Sequence, residues 1–365
     1  MKRLHRDPLR FDAFSLFATY GETHSVSLRD PASVEGFAAA MKQSAERALA
    51  SEAFLFGQRT EALFERIVAE LGSCRLLKRE DVGNVFHSLD GDVQPPDFRV
   101  LLSDGNQLLV EVKNFYQGDD GTKEQRESTR YVDGLAAYAG AMSCDLRIAT
   151  YWVRWNRWTL VPVAAFHRGE KWSVLSLGDA LLANEMGRLG DVLVGTRWPL
   201  RLRVLADPSQ PRTIGPDGRG TFTTGNRELY CEDRKINSMQ EQRIALFFAF
   251  YSDWRIIDSP AEVDGDKLIA IEHHIGPQED RGALAKYGFE FVGTLSSMIS
   301  KQHNSSTGFS EVDAIHAEFS PGAVGALIPN DYKGDALPLW RFTIQGAMDE
   351  DETERPASHI PERGA

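Results

Sequence analysis

The stretch from Asp97 to Leu102, the turn Ser103-Asp104-Gly105-Asn106, and the run Gln107 to Asn114 together allow few local folds. Asp-Gly between two alternating apolar runs is a strong short-range hairpin signal. Phe98, Val100 and Leu102 share one face of the first strand, and Leu108, Val110 and Val112 share one face of the second. Asp97, Glu111 and Lys113 fall on the opposite face, because strand side chains alternate with a period of two.

Register decides whether these charges meet. A two-residue turn pairing Ser103 with Asn106 sets Asp97 opposite Val112 and turns the apolar faces of the strands against each other's polar faces. An odd-length loop, most simply three residues with Gly105 left-handed, lets both strands bury the same face. Asp97 then lies opposite Glu111 or Lys113. Two carboxylates that close repel each other, and one is driven to a raised pKa unless a cation intervenes. Mg²⁺ is a hard ion that takes carboxylate oxygens and keeps several waters. A lysine beside it orients or deprotonates one such water.

Pro96-Asp97 with Glu111-Val112-Lys113 resembles the signature of the PD-(D/E)xK nuclease superfamily, an Asp at the start of one strand and Glu-x-Lys in the next. The resemblance covers roughly residues 40–170. It implies an α/β (α+β) chain with a restriction-endonuclease-like mixed β-sheet flanked by helices. It implies phosphodiester hydrolysis with Mg²⁺ or Mn²⁺. Asp97 and Glu111 would bind the metal, with the Val112 carbonyl as an extra ligand. Lys113 would position the attacking water and stabilise developing phosphorane charge. Relatives often supply a Glu from the preceding helix, with a Gly about one turn earlier, and Gly57-Gln58-Arg59-Thr60-Glu61 is similar to that pattern. Glu61 lies about 20° beyond Val68 on a helical wheel, at the border of the apolar stripe Leu63, Phe64, Ile67, Val68 and Leu71. It would complete the metal shell or hold a second water; the other reading is a solvated helix carboxylate. DNA is favoured over RNA because most relatives act on DNA. A bacterial restriction or phage-defence endonuclease is the expected role. The alternative is a catalytically inactive nuclease fold that binds nucleic acid or a protein partner.

The remaining chain supplies a scaffold. Residues 1–30 carry no sustained period and suit an extended arm or short elements. Residues 31–71 read as helix, with Gly57 separating two helices and Gly72 ending the second. Residues 74–88 hold the first sheet strand. Thr122 to Met142 reads as a helix, on which Lys123, Arg126 and Arg130 can share a face. The resemblance implies that polar residues here face the substrate phosphates. Strands follow at 146–152 and 158–166. The segment 146–172 is basic and aromatic in an otherwise acidic chain. Arg147, Arg154, Arg157, Arg168 and Lys171 stand against Glu170 alone, among Trp152, Trp155, Trp158 and Trp172. Such interleaving neutralises phosphates and stacks bases, with Arg154 and Arg157 as candidate contacts. It also suits a core strand with buried Trp and solvated Arg, and alternate residues facing each way reconcile the two.

Residues 207–211 (Asp-Pro-Ser-Gln-Pro) read as a linker or long loop. This divides the chain into an arm (1–35), a nuclease-like domain (36–206), an α+β module (207–348) for recognition, sensing or dimerisation, and an acidic tail (349–365) expected to be disordered. In the module, Asn237 to Trp254 reads as a helix capped by Ser238 with Glu241 three residues on, and Tyr287 to His303 as a strand or turn into a helix. These pieces and an extended 337–344 suit a winged-helix-like unit. His273 and His274 point opposite ways on a strand and read as structural.

The net charge of −12 excludes a surface coated in base, not a local basic patch. Three scattered cysteines and the absence of a signal-peptide pattern at the N-terminus point to a reducing cytoplasm. The longest apolar run, Ile244 to Tyr251, is too short to span a membrane. Two cuts on a duplex make a homodimer the expected assembly.

Overall fold

The hairpin takes the odd-length loop. Leu102 N–H donates to Asn106 O at 2.8 Å and Gly105 N–H to Leu102 O at 3.1 Å, closing a three-residue loop. Gly105 sits at φ 94, a conformation that L side chains rarely adopt. Asp104 Oδ1 accepts from Asn106 N–H at 2.9 Å and fixes the turn.

In this computed structural model, residues 1, 8–81, 85–116, 124–278, 288–308 and 311–346 are described. Helices α1 (Pro8–His24), α2 (Pro31–Leu49) and α3 (Glu52–Leu71) lead into strands β1 (Cys74–Arg79), β2 (Phe98–Leu102) and β3 (Gln107–Phe115). Strand β4 (Glu124–Ser128) and helix α4 (Thr129–Ala141) connect β3 to β5 (Asp145–Trp152) and β6 (Arg157–Pro162). Next come β7 (His167–Arg168), β8 (Trp172–Ser176), α5 (Leu177–Leu182), β9 (Leu193–Thr196) and β10 (Leu200–Ala206). Then follow β11 (Thr224–Cys231), β12 (Arg234–Lys235), α6 (Met239–Tyr251), β13 (Arg255–Asp258), β14 (Ala261–Asp264) and β15 (Lys267–Gly276). The chain closes with β16 (Glu290–Thr294), α7 (Leu295–Thr307), α8 (Ala323–Leu327) and β17 (Leu339–Phe342).

The central sheet runs β1-β2-β3-β5-β6. It is mixed: β3 and β5 are parallel, and the other pairs are antiparallel. Its apolar face carries Phe98, Val100, Leu108, Val110 and Val112, packed with Leu63, Phe64 and Ile67 of α3. Leu109 of the other face packs with Leu135 and Ala139 of α4. The architecture is therefore a mixed α+β one, with a sheet between helices.

Several local expectations change. The first helix break falls at Ala50–Ser51, not Gly57, because Ser51 caps α3 by accepting from Phe54 N–H at 3.3 Å. A glycine inside a helix costs only about 1 kcal/mol and does not end it. Gly72 does end α3, at φ 75. Part of the N-terminal arm is a helix, α1, whose Phe17 and Tyr20 rings lie 5.3 and 5.7 Å from Phe37 of α2. The segment 124–128 is strand, not helix, because it pairs along its length with β8, a partner distant in sequence.

The loop containing residues 207–211 joins two strands that pair with each other, β10 and β11. On its other edge β10 pairs with β15. Residues on both sides of 207 thus share one antiparallel sheet, ordered β12-β11-β10-β15-β13 with β14 also on β15, rather than a winged helix. Strand β9 likewise pairs with β16 and β17. Helix α6 is capped as its sequence indicates, Ser238 accepting from Glu241 N–H at 3.5 Å. Among the described residues, no helix is long and apolar enough to cross a membrane.

Candidate active site

The register Phe98↔Val110 carries Asp97, one step further, to a position opposite Glu111. Strand β2 starts at Phe98, and Asp97 is held just ahead of it, its carbonyl accepting from Glu80 N–H at 2.8 Å. Asp97 Oδ2 accepts the Val112 N–H at 2.6 Å. A strand residue sends its N–H and C=O to the same side, so the Val112 carbonyl also points to the β2 side, beyond the last paired residue of that strand.

Glu111 is buried, and both of its hydrogen bonds from described residues fall on Oε1. Lys113 Nζ donates to it at 2.7 Å and Tyr131 OH at 2.6 Å. Lys113 Nζ also lies 4.5 Å from the centroid of the Tyr131 ring and 4.0 Å from Glu127 Oε2. Behind it, Thr150 Oγ1 donates to Gln125 Oε1 at 2.8 Å, and Gln125 Nε2 donates to Glu127 Oε1 at 2.9 Å. The ammonium is thus held on three sides by β3, β4 and α4.

Burial, and then the Glu111 charge alongside, push the Asp97 carboxyl up to about 8. Burial opposes the charge on Lys113, but Glu111 and Glu127 outweigh it and hold the ammonium above the usual lysine range. Burial, and next Glu111, also raise the Tyr131 phenol, so Tyr131 stays a hydrogen-bond donor. The pair Asp97 and Glu111 is an electrostatic conflict that a cation relieves.

Glu61 projects from α3 to this end of the sheet, where its charge is felt by both Asp97 and Glu111. Its own oxygens are occupied: Oε2 accepts from Arg79 at 2.7 Å and Oε1 from Gln58 at 3.0 Å. Burial raises its pKa and Arg79 opposes the rise. Among the described residues, no three His, Cys, Asp or Glu side chains form a group that could hold a metal. The donor set is therefore two carboxylates. Asp97 Oδ1 and Glu111 Oε2 carry no hydrogen bond from described residues, and the Val112 carbonyl adds a third oxygen. That set suits Mg²⁺, which is commonly held by one or two carboxylates with the remaining positions filled by water and substrate.

The expected phosphate-binding residues are not gathered on one helix. Lys123 lies outside the described residues. Arg126 lies on β4 and Arg130 on α4, because the helix begins only at Thr129. Arg126 pairs with Glu124 at 3.5 Å, and Arg130 with Asp92. Arg154 is exposed, and Arg157 pairs with Asp253 at 2.6 Å. In the basic, aromatic segment the two readings divide by residue. Trp152 and Trp158 are core, each with its indole N–H bonded, to Thr159 and Ser300. Trp172 is exposed. Arg147 is buried against Glu185. His273 and His274 pair with Ser259 and Glu272.

Tyr131, Glu127, Gln125 and Thr150 are contacts that sequence reasoning did not find. Gln125 and Glu127 carry a weak strand signal, two polar residues at spacing two. Tyr131 carries none, since only the packing of α4 on the sheet brings its hydroxyl to Glu111.

No protein-family model matches the chain, and no curated protein matches it. Among solved structures it is similar to Hjc, a Holliday junction resolvase from the archaeal hyperthermophile Archaeoglobus fulgidus, at 20% identity and a TM-score of 0.28, over 37% of this chain and 95% of that one.

Proposed function

We propose that this chain is a metal-dependent endonuclease with a restriction-endonuclease-like core, hydrolysing DNA phosphodiester bonds in a bacterial restriction or phage-defence role. The observation that carries the reading is the opposition of Asp97 and Glu111 at the open end of the hairpin, with Lys113 two residues on and bonded to Glu111. The mixed sheet between α3 and α4 and the resemblance of this three-residue pattern to nuclease signatures support it.

When bound, Mg²⁺ or Mn²⁺ would supply Lewis-acid chemistry at the phosphate and an acidified water. The chain's own residues do the rest. Val112 N–H orients Asp97, and Tyr131 OH and Lys113 orient Glu111. Lys113 is held charged by its carboxylate neighbours, so it acts as a fixed cation on a phosphoryl oxygen and a positioner of water rather than as a base. Glu61 contributes a supplementary negative charge while Arg79 and Gln58 hold its oxygens.

A homodimer would place two such sites on a duplex. Helix α2 offers a face for it. Val34, Met41 and Leu49 are exposed at helical spacing, and Glu35 and Lys42 beside them carry opposite charges that an antiparallel pairing of two copies would match. Residues 207–348 would then recognise the target or gate cleavage.

The test is incubation of plasmid and single-stranded DNA with Mg²⁺ or with EDTA, using the native chain and Lys113→Ala. Cleavage in Mg²⁺ alone, abolished in the variant while DNA binding persists, is expected. Equal cleavage in EDTA, or an unaffected variant, overturns the assignment. Binding without cleavage under either metal favours a non-catalytic nuclease fold.

A further inference from the structure

Beside the carboxylate pair lies a cavity of ≈ 450 Å³ that the chemistry above does not use. Its walls include His87, Asp92, Gln94, Ser128, Arg130 and Tyr131. The volume falls in the range of small-molecule sites, roughly 300–1,000 Å³. Two backbone features build it. Gln94 N–H donates to Gly134 O at 3.1 Å, laying the segment before β2 against α4. Gly134 permits that approach, since a Cβ there would lie 3.3 Å from Gln94 Cβ and 3.5 Å from Asp92 O.

The lining is better matched to uncharged hydrogen-bonding groups than to a phosphate. Among the described residues of the lining, Arg130 is the one arginine or lysine, and it is paired with Asp92, which brings its own negative charge to the wall. The Asp92 carboxylate beside Arg130 offsets its charge, so this wall offers a phosphate no net positive charge. Uncharged hydrogen-bonding groups remain free. The side chains of His87, Gln94 and Ser128 make no hydrogen bond with any described residue, and Ser128, although it precedes α4, does not cap it. An imidazole, an amide and a hydroxyl beside an aromatic ring match the donors, acceptors and π-face of a nucleobase.

Position completes the argument. Tyr131 is common to the cavity and the carboxylate cluster, donating to Glu111 Oε1 at 2.6 Å with its ring 4.5 Å from the Lys113 ammonium. A group in the cavity is therefore one residue away from the groups that would act on a phosphate. We infer that this cavity receives a nucleobase that has left the stack beside the scissile phosphate, so that the chain selects DNA carrying an unpaired nucleotide over fully paired duplex. The inference rests on the nuclease reading for its geometry, but its test reads binding alone.

Two short duplexes are compared by equilibrium anisotropy in EDTA, one fully paired and one with a single unpaired 2-aminopurine nucleotide. The proteins are the full chain, Lys113→Ala, and the double variant Gln94→Ala/Ser128→Ala. The full chain and Lys113→Ala are expected to prefer the unpaired duplex about tenfold, within the worth of one stacked base. Binding should also change the 2-aminopurine emission. The double variant should lose both effects, keep its affinity for the paired duplex and keep its melting temperature. A double variant that melts early is replaced by His87→Ala, a change at an exposed residue. Equal affinity for the two duplexes overturns the inference, as does a preference unchanged in the cavity variant. Deoxyadenosine monophosphate that binds saturably without displacing the unpaired duplex overturns it in favour of a small-molecule effector site. Failure of Mg²⁺-dependent cleavage, by contrast, would remove the nuclease reading and leave the binding preference standing.

Discussion

Replacing Asp97 with Asn should stabilise the metal-free protein at alkaline pH. The Asp97 carboxyl is raised from an ordinary 3.8 to about 8, by burial first and by Glu111 second. Its folded-state pKa therefore lies above its unfolded value. Between those values the native state holds a proton that the unfolded chain releases, so stability falls as pH rises through the window. Each pKa unit corresponds to about 1.36 kcal/mol, which sets a ceiling of roughly 5–6 kcal/mol at and above pH 8. Asp97 is only partly shielded from solvent, which reduces the figure to on the order of 2–3 kcal/mol. Asn keeps an oxygen to accept the Val112 N–H and carries no charge. Urea unfolding of both proteins in EDTA at pH 5.5 and pH 8.5 measures the effect. The variant should gain about 2 kcal/mol more relative to the native chain at pH 8.5 than at pH 5.5. Added Mg²⁺ should stabilise the native chain at pH 8.5 and leave the variant nearly unchanged, because the ion supplies the missing compensation. A variant destabilised at pH 8.5, or a difference flat across pH, would refute the conflict between Asp97 and Glu111.

Four other substitutions probe the surroundings. Tyr131→Phe keeps the ring beneath Lys113 and removes the donor to Glu111 Oε1. A loss of about 1.5–3 kcal/mol, the worth of a hydrogen bond to a charged group, is expected in urea melts, with slower cleavage; no change in either would show the contact to be incidental. Trp158→Ala should cost about 3–5 kcal/mol, because the indole is stacked 5.1 Å from Tyr151 and buried, whereas Trp172→Ala at the exposed site should stay within about 0.5 kcal/mol. Arg157→Ala should shift stability by less than about 1 kcal/mol and leave DNA affinity unaltered, since its guanidinium is engaged by Asp253; a clear loss of DNA binding by titration would restore it to the interface.

The sequence by itself determined the hairpin and what it gathers. Alternation of Phe98, Val100 and Leu102 with Leu108, Val110 and Val112 leaves an odd-length loop as the way for both strands to bury one face, and Gly105 supplies the turn. The juxtaposition of Asp97, Glu111 and Lys113 follows from period-two geometry. The stop of α3 at Gly72 and the Ser238 cap of α6 were readable too, whereas the Ser51 cap that begins α3 was not, and Gly57 points to the wrong break. Tertiary structure decided the rest. The polar segment 124–128 has helical composition but gains more from pairing with β8, and that pairing separates Arg126 from Arg130 while bringing Glu127, bonded by Gln125, to Lys113. Pairing of β10 with β11 and β15 decided between the two readings of 207–211, linker or long loop, in favour of a loop between strands of one sheet. Glu61 was legible as a helix-border carboxylate, but its engagement by Arg79 of β1 was not. Local pattern records which face a side chain occupies. Which distant element covers that face depends on packing between segments far apart in the chain, and no short stretch of sequence carries that information.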